Sequence, residues 1–228
     1  YKRQSLYDDI RDADISKNPW KENGKLKIIW APHHSIDNKY SFSSSNFEDI
    51  CHFMVDIAIR YKDKIQMAFK PHPILYERLI EKWGINRTNE YYRKWNEMEN
   101  TFVSIGDYAE LFAFSNAMIH DCSSFTGEYL IANRPVLFLC KEVNKVPSGV
   151  DNDFGKACFN CNYHGYNIND IENFIDMLIR NEDPMKDKRS DFVNKYLTPP
   201  NNCSTAENMM NELMAVSYTH LTLPTTSR

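Results

Sequence analysis

The apolar residues of this chain fall into short runs that alternate with stretches of helical spacing. Six runs are rich in β-branched, aromatic and aliphatic residues, so they are predicted to be strands. These runs are residues 26–31, 64–70, 101–105, 117–120, 135–140 and 157–161. Most of the stretches between them are long enough to return the chain to the start of the next strand, which favours a parallel sheet.

Helices are predicted between the strands. The first follows a capping box formed by Ser45 and Glu48, and its apolar positions recur at helical spacing through Tyr61. Residues 75–98 are predicted to form two helices broken near Gly84. Further helix starts are predicted at the Asp107/Glu110 pair, at Ser123 and Ser124, at Asn169 and at the Ser204/Glu207 pair. Alternating strands and helices predict an α/β fold with a doubly wound, Rossmann-like parallel sheet.

The length and composition suit a globular chain with one large hydrophobic core or two small ones. The chain has 228 residues, 42% of them hydrophobic. Residues 1–24 are largely polar and are expected to be the end of a preceding domain or a linker, and residues 25–215 are expected to form the α/β domain. Residues 216–228 show no amphipathic pattern that continues the last predicted helix, so we expect a non-native or disordered tail without function.

The overall charge excludes some classes of partner. The formal net charge is −4 and the isoelectric point is about 6.0, so the chain as a whole does not attract nucleic acid or anionic lipid. A phosphate-binding site must therefore be local. No apolar run approaches the roughly 20 residues that span a bilayer, and a cytoplasmic location is expected. The six cysteines are expected to be thiols rather than a disulfide framework.

Polar side chains collect where three of the predicted strands end. Ligands of open parallel sheets bind beyond the carboxyl ends of the strands, where loops and helix N-termini meet. The candidate residues are His33 and His34 after the first strand, Lys70 and His72 after the second, and Asp121, Ser123 and Ser124 after the fourth. Their common position predicts one site at this edge of the sheet.

The cluster after the fourth strand is suited to an oxyanion. Hydroxyl groups of Ser123 and Ser124 and the backbone N–H groups of the helix that follows can all donate to phosphate oxygens. The alternative is that Asp121 or one of the serines only caps the helix.

The cluster after the second strand places His72 between Pro71 and Pro73, which restrict the backbone and hold the imidazole in place. Such a histidine can donate to a leaving pyrophosphate or act as an acid near neutral pH, with Lys70 as a point charge on phosphate. The alternative is a proline-rich surface turn.

Metal and redox chemistry are the weaker interpretations. Only one of His33 and His34 is expected to face the crevice, and no carboxylate lies beside them at a zinc-ligand spacing. Cys158 and Cys161, followed by His164, are expected to be buried or incidental thiols, because the pair ends a predicted strand rather than beginning a helix. No resident cofactor or metal is predicted, although the sequence leaves a magnesium ion open.

Four segments together resemble the CDP-glycerol glycerophosphotransferases of teichoic-acid synthesis, over residues 25–213 and in the same order. The segments are 27–35, which ends Ala-Pro-His-His-Ser; 69–73, Phe-Lys-Pro-His-Pro; 118–129, with Asp-Cys-Ser-Ser; and 133–138, Asn-Arg-Pro-Val-Leu-Phe. Many members have Asp-Tyr-Ser-Ser in the third segment and Ala-Pro-Thr followed by arginine in the first. These two differences leave the identity of the nucleotide-activated donor open.

The resemblance implies the C-terminal, nucleotide-binding half of a GT-B type enzyme. It implies that His72, Ser123 and Ser124 contact the pyrophosphate of CDP-glycerol, that Asp121 shapes their loop, and that Glu128 contacts ribose or glycerol hydroxyls. Lys70 and either His33 or His34 would line the same crevice. The implied partners are the nucleotide-activated donor and a lipid-linked or polymer acceptor at the cytoplasmic face of the membrane, with the membrane contact and the base in an N-terminal half that has no counterpart here.

The implied reaction is transfer of glycerol phosphate from CDP-glycerol to an acceptor hydroxyl, with release of CMP. Without the other half, this chain is expected to be inactive by itself. Two alternatives stay open, namely a glycosyltransferase that uses a nucleotide sugar for surface polysaccharide, and a non-catalytic nucleotide-binding module. Donor profiling separates them, because the same architecture carries many activities.

Overall fold

The computed structural model describes residues 2–36, 45–143, 145–147 and 149–222. Within these ranges one sheet contains six strands, and every pairing is parallel. The strands are β1 Leu26–Ala31, β2 Ile65–Phe69, β3 Thr101–Val103, β4 Ala117–His120, β5 Val136–Leu139 and β6 Tyr163–Gly165. Their spatial order is β3-β2-β1-β4-β5-β6, so the chain builds outward from β1 on one side and then on the other. The predicted doubly wound sheet is confirmed.

The helices lie between and after the strands. Gly84, with φ of +80°, separates α3 from α4 as predicted. The helices are α1 Lys2–Arg11, α2 Phe47–Arg60, α3 Leu75–Trp83, α4 Ile85–Glu97, α5 Ala109–Ala113, α6 Phe125–Glu128, α7 Asp153–Phe159, α8 Ile168–Ile179, α9 Lys186–Tyr196 and α10 Thr205–Thr222, with 3-10 turns at Ile15–Lys17, Tyr129–Ala132 and Pro200–Asn202. Among the helices in the described ranges, none is long and apolar enough to cross a membrane.

One of the six predicted strands is wrong. Residues 157–161 belong mainly to the end of α7, which begins after Asn152, whose side chain accepts a hydrogen bond from the Gly155 N–H at 2.8 Å. A short apolar run looks the same in a buried helix and in a buried strand, so periodicity does not separate them. The sixth strand is β6, which follows this segment and pairs with β5.

Some predicted helix ends also differ. The box of Ser204 and Glu207 forms, with the Glu207 N–H 3.2 Å from the Ser204 hydroxyl oxygen and the Ser204 N–H 2.7 Å from the Glu207 carboxylate. The box of Ser45 and Glu48 does not form, because Asn46 precedes α2 and Glu48 pairs with Lys82.

Three further ends are shifted. The cap of α8 is Asn167 rather than Asn169, since the Asn167 side chain accepts from the N–H groups of Asn169 and Asp170. Helix α5 begins only at Ala109, two residues after the predicted Asp107. Helix α10 continues to Thr222, past residue 216 at which the tail was expected to begin, while residues 223–228 lie outside the described ranges.

The sheet is buried on both faces, and alternate residues of β1 show how. Ile28 and Trp30 face the core beneath α2, α4 and α8, where Trp30 stacks on Phe47 and Phe69 with ring centres 5.7 and 5.0 Å apart. Ile29 and Ala31 face the opposite core, in which Phe112 and Tyr129 lie. Because β1 lies between β2 and β4, the loops that follow these three strands are neighbours in space.

Candidate active site

Three histidines meet above the ends of β1 and β2. The rings of His33 and His34 have centres 4.1 Å apart, those of His34 and His72 are also 4.1 Å apart, and His33 lies 5.5 Å from His72. His33 and His34 both lie against His72 in this group, whereas the cavity described below is lined by His72 and by neither of the other two. We call this group the histidine cluster. Within the described residues no group of three His, Cys, Asp or Glu is arranged to hold a metal ion.

All three members of the histidine cluster favour the neutral form. Burial, together with the neighbouring rings of His34 and His72, lowers the pKa of His33 to about 4. Burial also lowers the pKa of His34 and of His72. For His34 the second cause is the positive charge of Arg78, on α3. A bound anion would oppose these effects, so its binding is expected to draw protons onto the cluster.

His72 is held rigidly, as its two flanking prolines predicted. The backbone N–H of His72 donates to the carbonyl of Pro32 at 3.3 Å, and the ring Nδ1 of His72 accepts from the backbone N–H of Ile74 at 3.2 Å. A ring nitrogen that accepts carries no hydrogen, so this bond assigns the proton to Nε2. Nε2 is therefore the atom that can donate to a ligand oxygen.

A cavity of about 220 Å³ opens beside His72. Its lining brings together residues from the ends of β1, β2, β3 and β4, namely Pro32, Lys70, Pro71, His72, Pro73, Gly106, Tyr108, Cys122, Ser124, Phe125 and Glu128. Four of the sequence-predicted candidates, Lys70, His72, Ser124 and Glu128, thus share one cavity. We call it the edge cavity.

Lys70 is the buried cation of the edge cavity. Its side chain is only 5% exposed, and its Nζ donates to the Gly106 carbonyl at 2.9 Å and lies 5.6 Å from the centre of the Tyr108 ring. Burial lowers its pKa, and nearby Asp107 partly restores it. A desolvated ammonium group attracts an anion more strongly than one in water.

The two serines point to different places. Ser124 lines the edge cavity, where its hydroxyl oxygen lies 3.1 Å from the thiol of Cys122. Ser123 lies against the loop after β5, because a side chain added at Gly149 would stand 2.9 Å from the Ser123 hydroxyl oxygen. Helix α6 is only four residues long, so the hydroxyl groups contribute more here than a helix dipole.

Asp121 lies beside the edge cavity but not in its lining. Its carboxylate is 3% exposed and accepts two backbone hydrogen bonds of 2.6 Å, from the N–H groups of His33 and Asn46. Burial raises its pKa to about 6, and these hydrogen bonds oppose that rise. Asp121 is thus bound to the backbone of two loops and is not among the groups that face the cavity.

The loop after β3 also contributes to the site, and sequence reasoning missed it. Tyr108 donates from its hydroxyl to Glu128 at 2.9 Å, and Gly106, with φ of +92°, presents the carbonyl that Lys70 binds. Glu128 is thus held by Tyr108 at the rim of the edge cavity. A Gly-Asp pair directly after the predicted strand 101–105 was the available signal.

The two cysteines of the Cys158-x-x-Cys161 pair are buried thiols. They lie at and just after the end of α7, so the reason given for doubting a redox role, that they end a strand, is wrong. Burial raises the pKa of Cys161, which makes its thiolate less available. His164 binds the carbonyl of Phe159 through Nε2 at 2.9 Å and stacks on the Phe159 ring.

Buried His120 is expected to make the protein sensitive to acid. His120 is fully buried, and burial lowers its pKa to about 4, so its contribution to stability is complete above pH 6.5 and is lost as the pH falls from 6.5 towards 4. Asp121 acts in the opposite direction, since its raised pKa favours the folded state at low pH. Between pH 7 and 4.5 we expect His120→Asn to lose about 2 kcal/mol less unfolding free energy than the parent.

Urea unfolding of both proteins at the two pH values measures this difference. His52→Asn, at an exposed histidine, is the control for the loss of an imidazole elsewhere. Equal losses in the parent and in His120→Asn would contradict the assignment of acid sensitivity to His120.

The fold and the edge cavity are together typical of one broad class of protein. A doubly wound parallel sheet with a cation, a hydroxyl and an imidazole at its carboxyl edge is typical of α/β proteins that bind nucleotides or other phosphates. A family model described as CDP-glycerol:poly(glycerophosphate) glycerophosphotransferase matches residues 8–214. The chain belongs to this family. No curated protein sequence matches it.

Solved structures share the fold. A variant of the wall teichoic acid polymerase TagF is 16% identical, with a TM-score of 0.53, and the match covers 96% of this chain and 48% of that one. The UDP-GlcNAc 2-epimerase of Methanocaldococcus jannaschii, in complex with UDP-GlcNAc and UDP, is 14% identical with a TM-score of 0.50, over 85% of this chain and 52% of that one. The chain thus spans about half the length of the structures it matches. The predicted Rossmann-like domain of GT-B type is confirmed.

Proposed function

We propose that this chain is the donor-binding half of a glycerophosphotransferase that moves glycerol phosphate from CDP-glycerol to a hydroxyl of a teichoic-acid or other surface-polymer acceptor and releases CMP. The observation that carries the proposal is the edge cavity, in which Lys70, His72 and Ser124 converge at the carboxyl edge of the sheet. The family to which the chain belongs supports the same donor.

In the proposed reaction the acceptor oxygen attacks the β-phosphorus of CDP-glycerol. A bond forms between this oxygen and phosphorus, the bond from the β-phosphorus to the bridging oxygen breaks, and CMP leaves with the electron pair. The proton of the acceptor hydroxyl passes to a base. Phosphoryl transfer of this kind depends on the positioning of the two reactants and on neutralisation of the phosphate charge. It needs no covalent intermediate with a protein side chain.

The side chains of the edge cavity would divide this task. Lys70 supplies a buried positive charge, His72 donates from Nε2, and Ser124 donates its hydroxyl. Hydrogen-bond donors that the protein already holds in position stabilise the charge that develops in the transition state, because they need not reorganise. Glu128, which accepts a hydrogen bond from Tyr108, would contact donor hydroxyl groups. The proposal includes no resident cofactor, with magnesium left to the titrations below.

The two serines allow a matched prediction. Ser124→Ala is expected to weaken CDP-glycerol binding about tenfold to a hundredfold, because a hydrogen bond to a charged acceptor contributes about 1.5–3 kcal/mol. Ser123→Ala is expected to cost less than about threefold, since its hydroxyl lies against Gly149 outside the cavity lining. Calorimetric titration measures both. A larger loss in Ser123→Ala than in Ser124→Ala would show that the donor takes the other side of this loop.

Donor profiling tests the proposed function itself. The full chain is titrated with CDP-glycerol, CMP, a UDP-sugar and ADP, with and without Mg²⁺. Cytidine-selective binding that includes the glycerol phosphate supports the proposal. Selective binding of the UDP-sugar would favour a glycosyltransferase, and equal binding of all four would favour a nucleotide-binding module. Binding of none would remove the edge cavity as a donor site in this chain.

A further inference from the structure

The Asp121 carboxylate binds both ends of one segment of the chain, at His33 and at Asn46. One carboxylate oxygen, Oδ1, accepts from the N–H of His33, and the other, Oδ2, accepts from the N–H of Asn46, both at 2.6 Å. The hydroxyl of Ser45 also donates to this carboxylate. Both ends of the segment 33–46, of which residues 37–44 lie outside the described ranges, therefore meet at one buried side chain. We call this arrangement the carboxylate clip.

Neighbouring contacts attach the same loop to the sheet. The Asn46 side-chain amide donates to the carbonyl of Leu139, at the end of β5, at 3.0 Å. The N–H of Ser45 lies 3.4 Å from the carbonyl of Ser35, which brings the two ends together again. Lys141, exposed on the segment after β5, favours the charged form of Asp121. The clip thus joins the ends of β1, β4 and β5.

The clip acts directly on the histidine cluster. The donor to Oδ1 is the backbone of His33 itself, so Asp121 fixes the chain where His33 and His34 begin to turn towards His72. The ring of His33 is further held by Ser35, whose hydroxyl oxygen lies 2.9 Å from Nδ1. His72 is positioned independently of Asp121, by its two flanking prolines and by the hydrogen bond from its backbone N–H to the Pro32 carbonyl.

We propose that Asp121 is a positioning residue, which holds His33 and His34 against His72 by accepting hydrogen bonds from both ends of the 33–46 loop and does not itself contact the donor. Its consequence for donor binding rests on the proposed function, whereas its consequence for the histidine cluster does not. A carboxylate can accept from several backbone donors at once, and an amide of the same shape cannot, because its NH₂ group would face a backbone N–H.

The test is Asp121→Asn in the full chain, examined by two independent measurements. In NMR titrations of histidine ring protons, His33 and His72 of the parent should titrate below their ordinary range, and in Asp121→Asn their midpoints should rise by about one pH unit as the cluster opens. By calorimetry, CDP-glycerol affinity should fall at least tenfold. Unchanged midpoints in a folded Asp121→Asn would overturn the proposal.

A double-mutant cycle separates positioning from direct contact. If Asp121 acts through the histidines, Asp121→Asn should cost less than about twofold in affinity when His33 and His34 are already alanine. A full tenfold loss in that background would instead show direct contact with the donor and overturn the proposal. If the parent binds no nucleotide, the proposed function fails, and the histidine midpoints still decide the clip.

Ser45→Ala covers the case in which Asp121→Asn does not fold. It removes the hydroxyl donor from the far end of the clip and leaves the carboxylate intact. The same histidine midpoints should move in the same direction by a smaller amount. No movement in Ser45→Ala would count against the clip. Ser16→Ala, at an exposed serine outside the site, is the control.

Discussion

Replacing His72 by alanine is expected to weaken the binding of CDP-glycerol by at least a hundredfold. His72 presents Nε2–H from a ring fixed by Pro71, by Pro73 and by the N–H of Ile74. A hydrogen-bonding side chain that is already oriented loses little entropy on binding. Its hydrogen bond to a diphosphate oxygen therefore contributes more to affinity than that of a mobile side chain. Calorimetric titration of the full chain measures the loss.

The control is His52→Ala, at an exposed histidine of α2, which should bind like the parent. Gln at position 72 should recover part of the affinity, because its amide can donate where the imidazole does. An affinity for CDP-glycerol within threefold of the parent in His72→Ala would contradict the role given to this residue.

Lys70→Met is expected to separate binding from stability. It should weaken CDP-glycerol binding about a hundredfold, because it removes the buried positive charge of the edge cavity and keeps a side chain of similar length. It should not lower the melting temperature, since burial lowers the pKa of Lys70 and the folded state therefore disfavours its charge. Binding sites commonly gain affinity at the expense of stability in this way.

Calorimetry and thermal unfolding of the same preparation test both parts. Lys64→Met, at an exposed lysine before β2, is the matched control. The loss in Lys70→Met should be larger for CDP-glycerol than for cytidine, which carries no phosphate. Equal losses for the two ligands would show that Lys70 does not act on the diphosphate.

The local pattern of the sequence predicted five of the six strands and the parallel, doubly wound sheet. Strands β1, β2 and β4 are mostly apolar because both faces of the sheet are covered, and the polar residues that follow them mark its carboxyl edge. Lys70 and His72 follow β2 and Ser124 follows β4, and they share one cavity because only β1 lies between these two parallel strands.

What the sequence did not predict depends on contacts between distant segments. Asp121 and His33 are 88 positions apart, and no local periodicity reports that the carboxylate of one binds the backbone of the other. Ser123 lies against Gly149, which belongs to a different loop, whereas Ser124 lines the edge cavity. The strand β6 was misplaced for another reason, since the apolar run before it suits a helix equally well.

The central claim is that the edge cavity holds the diphosphate of CDP-glycerol, and a crystal structure of the full chain with CDP-glycerol tests it most directly. The account predicts diphosphate oxygens within hydrogen-bond distance of Nε2 of His72 and the hydroxyl of Ser124, with Lys70 beneath them and Asp121 still bound to the backbone of His33. A diphosphate bound elsewhere on the chain, with the edge cavity holding only solvent, would contradict it.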